Sequence, residues 1–155
     1  MANGLALLIW RLRALVRPPV TLGVRCMVID ADERVLLVRH TYTAGWHLPG
    51  GGVDAHESAR TAATRELKEE TGVDLQTPAD FFALYWNKAL AGRDHVALYV
   101  ARLDGRIDDG VLRTPAAEIA DAMLCPLTDL PDDAAPSVRR RVAEVLHGDP
   151  PREVW

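Results

Sequence analysis

The chain is poor in cysteine: Cys26 and Cys125 are the only two, and they lie far apart. Two thiols cannot build a zinc site by themselves, and no disulfide framework is readable from them. Both read as buried thiols, which makes a reducing cytoplasm the expected location. The N-terminus has no long apolar run. Its uninterrupted stretch, residues 5–10, is far short of the about 20 residues that cross a bilayer. A signal peptide carries its positive charges before the apolar run, and here Arg11, Arg13 and Arg17 follow or flank it. An excess of positive charge is also missing. A formal net charge of −4 offers duplex nucleic acid no electrostatic invitation. His-Glu-x-x-His does not occur, and Gly50-Gly51-Gly52 is not followed by the Lys-Ser/Thr of a phosphate-binding P-loop. Zinc-protease and P-loop chemistry are thereby unsupported.

What is present fits one globular domain, since 155 residues with 48% hydrophobic content can bury about two-thirds of the unfolded surface. Residues 1–19 form a separate opening segment. Leu5, Leu8, Ile9, Leu12, Leu15 and Val16 recur at helical spacing, and Pro18-Pro19 ends the run. This amphipathic helix is expected to pack on its own domain or on a second copy in a homodimer. The alternative is peripheral contact with a membrane surface through residues 5–16, where Trp10 and the arginines suit an interface.

Residues 20–29 and 35–38 read as a strand pair joined by the polar turn at 30–33. A polar and aromatic loop, residues 39–46, leads to Leu48-Pro49-Gly50-Gly51-Gly52, where three glycines let backbone approach a ligand or metal closely. A helix follows from His56-Glu57-Ser58 to Thr71, with Gly72 as its C-terminal cap. Residues 81–86 and 95–103 are two further strands around a turn at 91–94, and residues 122–125 form a short one. Residues 137–146 have helical periodicity, and the tail from Gly148 reads as irregular. The domain is therefore expected to span residues 20–147, with 148–155 as a tail. Mixed strands flanked by helices predict an α/β sandwich.

The chemistry concentrates in residues 51–73. Glu66, Glu69 and Glu70 stand at i, i+3 and i+4 and share one helical face. Like charges so placed repel by roughly 0.2–0.5 kcal/mol per pair. A divalent cation would convert that repulsion into binding, because magnesium and manganese favour oxygen ligands. The acidic face is the expected active site. A solvated surface neutralised by Arg65 and Lys68 is the competing structural reading, and the glycine segment beside the acids weighs against it.

The run from Gly51 through Glu57 to Arg65-Glu66-Leu67-Lys68-Glu69-Glu70-Thr71-Gly72-Val73 resembles the Nudix box, G-x5-E-x7-R-E-U-x-E-E-x-G-U with U a bulky aliphatic residue. Every specified position is filled. The resemblance implies a Nudix-type α/β/α sandwich with a mixed central β-sheet. It also implies a hydrolase that cleaves a phosphoric anhydride in a nucleoside triphosphate or a nucleoside diphosphate derivative by water attack. Magnesium is the implied cofactor, with manganese as the substitute, and a small nucleotide is the implied partner. Carried over position by position, Glu66, Glu69 and Glu70 are the candidates for metal ligation and for base chemistry, with Glu70 the foremost ligand. Glu66 is either ligand or general base. Arg65 holds a neighbouring glutamate, and the carbonyl of Gly50 or Gly51 adds an oxygen. Glu118 resembles the later glutamate that supplies a ligand or the base in some members, and Asp94 is a weaker substitute. Tyr42, Trp46 and Trp86 are candidates to stack on a base, and each has a competing role in the core or in closing a loop. Arg39, Lys88 and Arg93 are candidate phosphate partners. Marks of several subfamilies are missing, among them a proline about 15 residues after the box, so the resemblance does not select a substrate. The alternative function is a catalytically silent Nudix-like module that binds a nucleotide.

Overall fold

A computed structural model describes residues 20–89, 92–114 and 116–155. The expected N-terminal amphipathic helix lies outside these residues. Six strands follow in chain order: β1 (Thr21–Ile29), β2 (Arg34–His40), β3 (Trp46–His47), β4 (Asp80–Asn87), β5 (Asp94–Arg102) and β6 (Ile119–Pro126). Two α-helices join them, α1 (Ala59–Thr71) and α2 (Pro136–His147), with one 3-10 turn at Asp109–Val111.

β1 is buried on both faces, and alternate side chains serve two cores. Met27 and Ile29 join Val138 and Val142 of α2, while Val24, Cys26 and Val28 join Ala62, Ala63 and Leu67 of α1. The sheet thus has a helix on each side, the expected α/β/α sandwich. It is mixed: β1 runs parallel to β5 from Thr21↔Asp94 to Ile29↔Arg102, and β4 runs antiparallel to β5.

The β1–β2 hairpin opens after the Ile29↔Val35 pair, and β2 continues with β6 and β3 instead. The vacated edge of β1 takes the glycine segment. Val24 N–H donates to the Gly51 carbonyl at 2.8 Å, Cys26 N–H to Pro49 at 2.8 Å, and Val53 N–H to Leu22 at 3.0 Å. This splay between β1 and β2 makes the cleft in which the acids sit.

α1 begins and ends where its cap residues dictate. The Ser58 hydroxyl accepts from Thr61 N–H, and Gly72 sits at φ 75° with its N–H on the Lys68 carbonyl. Leu67, fully buried, anchors the helix, a burial worth about 1.5–3 kcal/mol. Three features differ from the sequence reading. β3 forms inside the expected loop, because Trp46 pairs with Arg39 of β2. β6 is longer than residues 122–125, since its whole length pairs with β2. The tail is pinned: Trp86 N–H donates to the Glu153 carbonyl at 2.9 Å, and Trp155 N–H returns to Trp86 at 3.0 Å. Among the described residues, no helix is long and apolar enough to cross a membrane.

Candidate active site

The glycine segment lies against β1 too closely for side chains. At Gly50, φ is 141° and a Cβ would stand 2.2 Å from the Val24 carbonyl oxygen. A Cβ on Gly51 would stand 2.6 Å from the Glu66 carboxylate. The two glycines therefore let the loop rest on the sheet and let Glu66 rest on the loop.

α1 aims its last turns at this loop. Glu70 is only 4% exposed, and its Oε2 accepts from Gly50 N–H at 2.8 Å. Burial pushes its pKa up to about 7; Glu66 and Glu118 add to the rise, while the Gly50 N–H and Arg25 oppose it. Its Oε1 lies 4.0 Å from Nδ1 of His40, beyond hydrogen-bond reach. Among the described residues, neither buried ring nitrogen of His40 has a partner. Burial first, then Arg25 and His47, pushes His40 down to about 4. Between those two values the pair is a neutral imidazole beside a neutral carboxyl, so the contact is not an ion pair in mildly acidic solution.

Glu66 is half-buried, and burial raises its pKa against the pull of Arg65. Arg65 ties the box together. Its guanidinium reaches Glu57 at 2.7 Å, Glu66 at 2.8 Å, Glu69 at 3.1 Å and the Gly52 carbonyl at 3.2 Å. Glu57 also accepts from Asp54 N–H at 2.8 Å, so it fixes both the approach to α1 and the arginine. The hydrogen bond from Arg65 is the main cause of its lowered pKa. The expected role of Arg65 as a holder of glutamates has a geometric basis, and it engages three rather than one.

Pairing of β6 with β2 brings Glu118 to the rim. Ile119 is in register with His40, and the Glu118 carbonyl accepts from Thr41 N–H at 2.9 Å. Its carboxylate raises the pKa of both Glu70 and Tyr42, although burial is the larger cause at each. Tyr42 stands beside the acids, 68% exposed, with its ring 5.0 Å from that of His40.

Other expected residues lie elsewhere. Trp46 is 6% exposed within the core under α2, with the Arg39 guanidinium 4.6 Å above its ring. Burial leaves that ring no open face for a base. Arg39 pairs with Asp133 at 2.9 Å rather than pointing at the acids. The Trp86 indole N–H donates to the Gly92 carbonyl at 2.9 Å, and Lys88 Nζ sits 4.9 Å from its ring. Asp94 has one oxygen on Thr21 and the other on Asn87, both at 2.8 Å, which marks it as a clamp at the end of the sheet. The Gly50 carbonyl accepts from Nη1 of Arg25.

Arg25 is the residue the sequence reading passed over. It interrupts an apolar strand, and its charge is felt by Glu70, Glu66, His40 and Tyr42. A cation flanked by Val24, Cys26 and Met27 was the available signal. It lines a cavity of about 220 Å³ with Thr21, Gly23, Gly51, Asn87 and Asp94. A larger hollow of about 390 Å³, formed by residues 74–78, 80 and 100–106, contains none of the box glutamates.

Among the described residues no three His, Cys, Asp or Glu side chains are gathered as a ready metal cage. Arg65 engages Glu66 and Glu69, while Glu70 is turned to Gly50. The donor chemistry nevertheless fits a hard divalent cation. Glu66, Glu69 and Glu70 bring three carboxylates to the last turns of one helix, and among the described residues the most buried, Glu70, has no Arg or Lys within ion-pair distance.

A model of the NUDIX domain matches residues 19–146. A MutT-like protein of Streptomyces ambofaciens is 31% identical over 137 residues, covering 79% of this chain and 84% of its own length. An RNA pyrophosphohydrolase of Roseobacter denitrificans is 28% identical over 139 residues, covering 80% of this chain and 86% of its own. Among solved structures, the NUDIX domain of Shewanella oneidensis NrtR complexed with ADP ribose superposes with a TM-score of 0.73 at 20% identity. That match covers 86% of this chain and 91% of the other, and it bears on the fold alone.

Proposed function

The chain belongs to the Nudix family, and on that footing we propose a magnesium-dependent pyrophosphohydrolase acting on a nucleoside triphosphate or a nucleoside diphosphate derivative. One observation carries the reading: Glu70 is a buried carboxylate held by a single N–H, under the charge of Glu66 and Glu118. Arg25 opposes the cost of burying this group only from outside ion-pair contact, and a divalent cation would remove what remains. Glu66, Glu69 and Glu70 would hold that ion, with Glu118 at the rim. When bound, it withdraws charge from the phosphoryl oxygens and acidifies water.

The chain's own residues supply the remainder. A carboxylate, Glu66 or Glu118, takes the proton as a water oxygen attacks phosphorus and the anhydride P–O bond breaks. Arg65 keeps Glu57, Glu66 and Glu69 in register during that transfer. Tyr42 offers an exposed ring next to the acids for a base to stack on. Relatives that include an RNA pyrophosphohydrolase support the reaction class. The silent-module alternative would be favoured by loss of a box glutamate, and all four are present. Both cysteines are buried and unpaired, in keeping with a reducing cytoplasm.

The test is hydrolysis across nucleoside triphosphates, nucleotide sugars, dinucleotides and capped RNA, with magnesium, manganese or EDTA, in ¹⁸O-labelled water. Metal-dependent cleavage of one class with label in a phosphate product is expected. Folded, manganese-binding protein that turns over no class would overturn the assignment in favour of a binding module.

A further inference from the structure

We propose that Arg25 is a substrate-phosphate ligand, gripping an oxygen of the anhydride from the side opposite the box glutamates. The proposal rests on the pyrophosphohydrolase reading and adds a residue that the box does not contain. Arg25 sits on β1 in register with Leu98, on a strand whose neighbouring side chains fill the two cores. An aliphatic residue would satisfy the packing there, so the guanidinium needs another explanation.

Its contacts supply one. A guanidinium carries five N–H donors. Among the described residues, the hydrogen bond of the Arg25 side chain is to the Gly50 carbonyl, and no carboxylate lies within ion-pair distance. Arg25 also lines the 220 Å³ cavity, together with Gly51 and Gly52. Gly23, Gly51 and Gly52 line this cavity without contributing side chains to it. At the far end the Asp94 oxygens are taken up by Thr21 and Asn87, which leaves a clamped polar wall. The cavity therefore has one cation, set between the acids and the space beyond them. A diphosphate bridging the acids' metal and this cavity would pass the Arg25 fork, which suits phosphate oxygens bidentately.

The probe is methylenediphosphonate, a pyrophosphate analogue with an uncleavable bridge, titrated calorimetrically into manganese-loaded parent, Arg25→Gln and Arg25→Lys proteins. Thermal unfolding confirms that each is folded, and manganese affinity is measured separately without the probe. Arg25→Gln is expected to weaken probe binding by about 30-fold or more. Arg25→Lys, a point charge without the fork, is expected to lose about half of that on a logarithmic scale. Manganese affinity alone should be unchanged or tighter, because a cation beside the acids has been removed. Probe affinity equal to the parent's in Arg25→Gln would overturn the proposal. So would loss of probe and manganese affinity in parallel, which would make Arg25 a prop for the Gly50 loop. Failure of the folded, manganese-loaded parent to bind the probe would overturn the functional reading itself, and this proposal with it.

Discussion

Two buried polar clusters flank the sheet, and they are built on opposite principles. Under α2, Arg141 is fully buried, and its guanidinium donates to Glu144 at 2.7 Å and to the Val154 carbonyl at 3.2 Å. Glu144 also accepts from the Tyr85 hydroxyl at 2.8 Å and from Arg152 N–H at 3.2 Å. The Arg141 guanidinium stacks 3.9 Å above the Tyr85 ring and 5.5 Å from that of Trp155. At the end of α1, by contrast, Glu70 has one hydrogen bond among the described residues, and His40 has none there on either ring nitrogen. The α2 cluster leaves only Nε of Arg141 without a partner among the described residues; a cluster so knitted stabilises the fold, and one left shorter of partners is set up for something that arrives later. On the proposed function, the difference separates a structural lock from a working site, although both are buried and charged.

Glu70→Gln breaks the site without touching the lock. It removes an anionic oxygen, and turnover of a confirmed substrate should fall on the order of 10³-fold. The metal-free variant should unfold at or above the parent's midpoint, since a strained acid has been replaced by an amide. Turnover at the parent rate would show that Glu70 is not a ligand.

Glu144→Ala breaks the lock without touching the site. It strands Arg141, Tyr85 and the tail together, at a cost of about 3–5 kcal/mol in chemical denaturation. Activity per folded molecule should hold. A loss below about 1 kcal/mol would mean that the lock does not bear on stability.

The two clusters should also part in their pH dependence. Glu70 is held at about 7 against an ordinary 4.5, so the folded chain keeps a proton that the unfolded chain gives up. Its contribution is fully present below about 4.5 and is lost as pH rises to about 7. His40, lowered to about 4 from 6.5, acts in the opposite sense, and its contribution grows with pH between those values. Each arm is worth up to about 3 kcal/mol, and in the metal-free parent they offset each other. Glu70→Gln should expose the rising arm and His40→Phe the falling one, read from denaturation midpoints between pH 4 and 7. Parallel curves for parent and both variants would contradict the assignment.

The smallest effect is expected at Glu57→Gln. Arg65 loses its firmest partner but keeps Glu66 and Glu69, so turnover should drop about tenfold while KM holds. An unchanged kcat would return Glu57 to the role of a loop anchor.

How much of this could be read beforehand depended on range. The box is local, so Glu66, Glu69, Glu70 and Arg65 could be singled out as candidates within one segment, their roles coming from the resemblance, and the Gly72 cap of α1 was legible there too. The α/β class followed from strands flanked by two helical segments, and the α/β/α order from the resemblance of the box. Arg25 and His40 were not legible as a site, because they meet the acids only where β1 and β2 diverge and the glycine segment fills the gap. Trp46 misled for a related reason: its loop hides a two-residue strand whose pairing turns the indole inward. The tail is irregular as expected, but its anchoring was not legible. Nothing local announces that Trp155 will close on Tyr85, 5.4 Å away in ring-centroid distance.

The central claim is that the acids at the end of α1 are short of a cation. The most direct measurement is the thermal unfolding midpoint of parent and Glu70→Gln as manganese is added, at a pH near 8 where Glu70 is ionised. A midpoint that climbs with manganese in the parent and stays flat in Glu70→Gln is the predicted result. A parent midpoint that ignores manganese, or a variant that climbs equally, would contradict it.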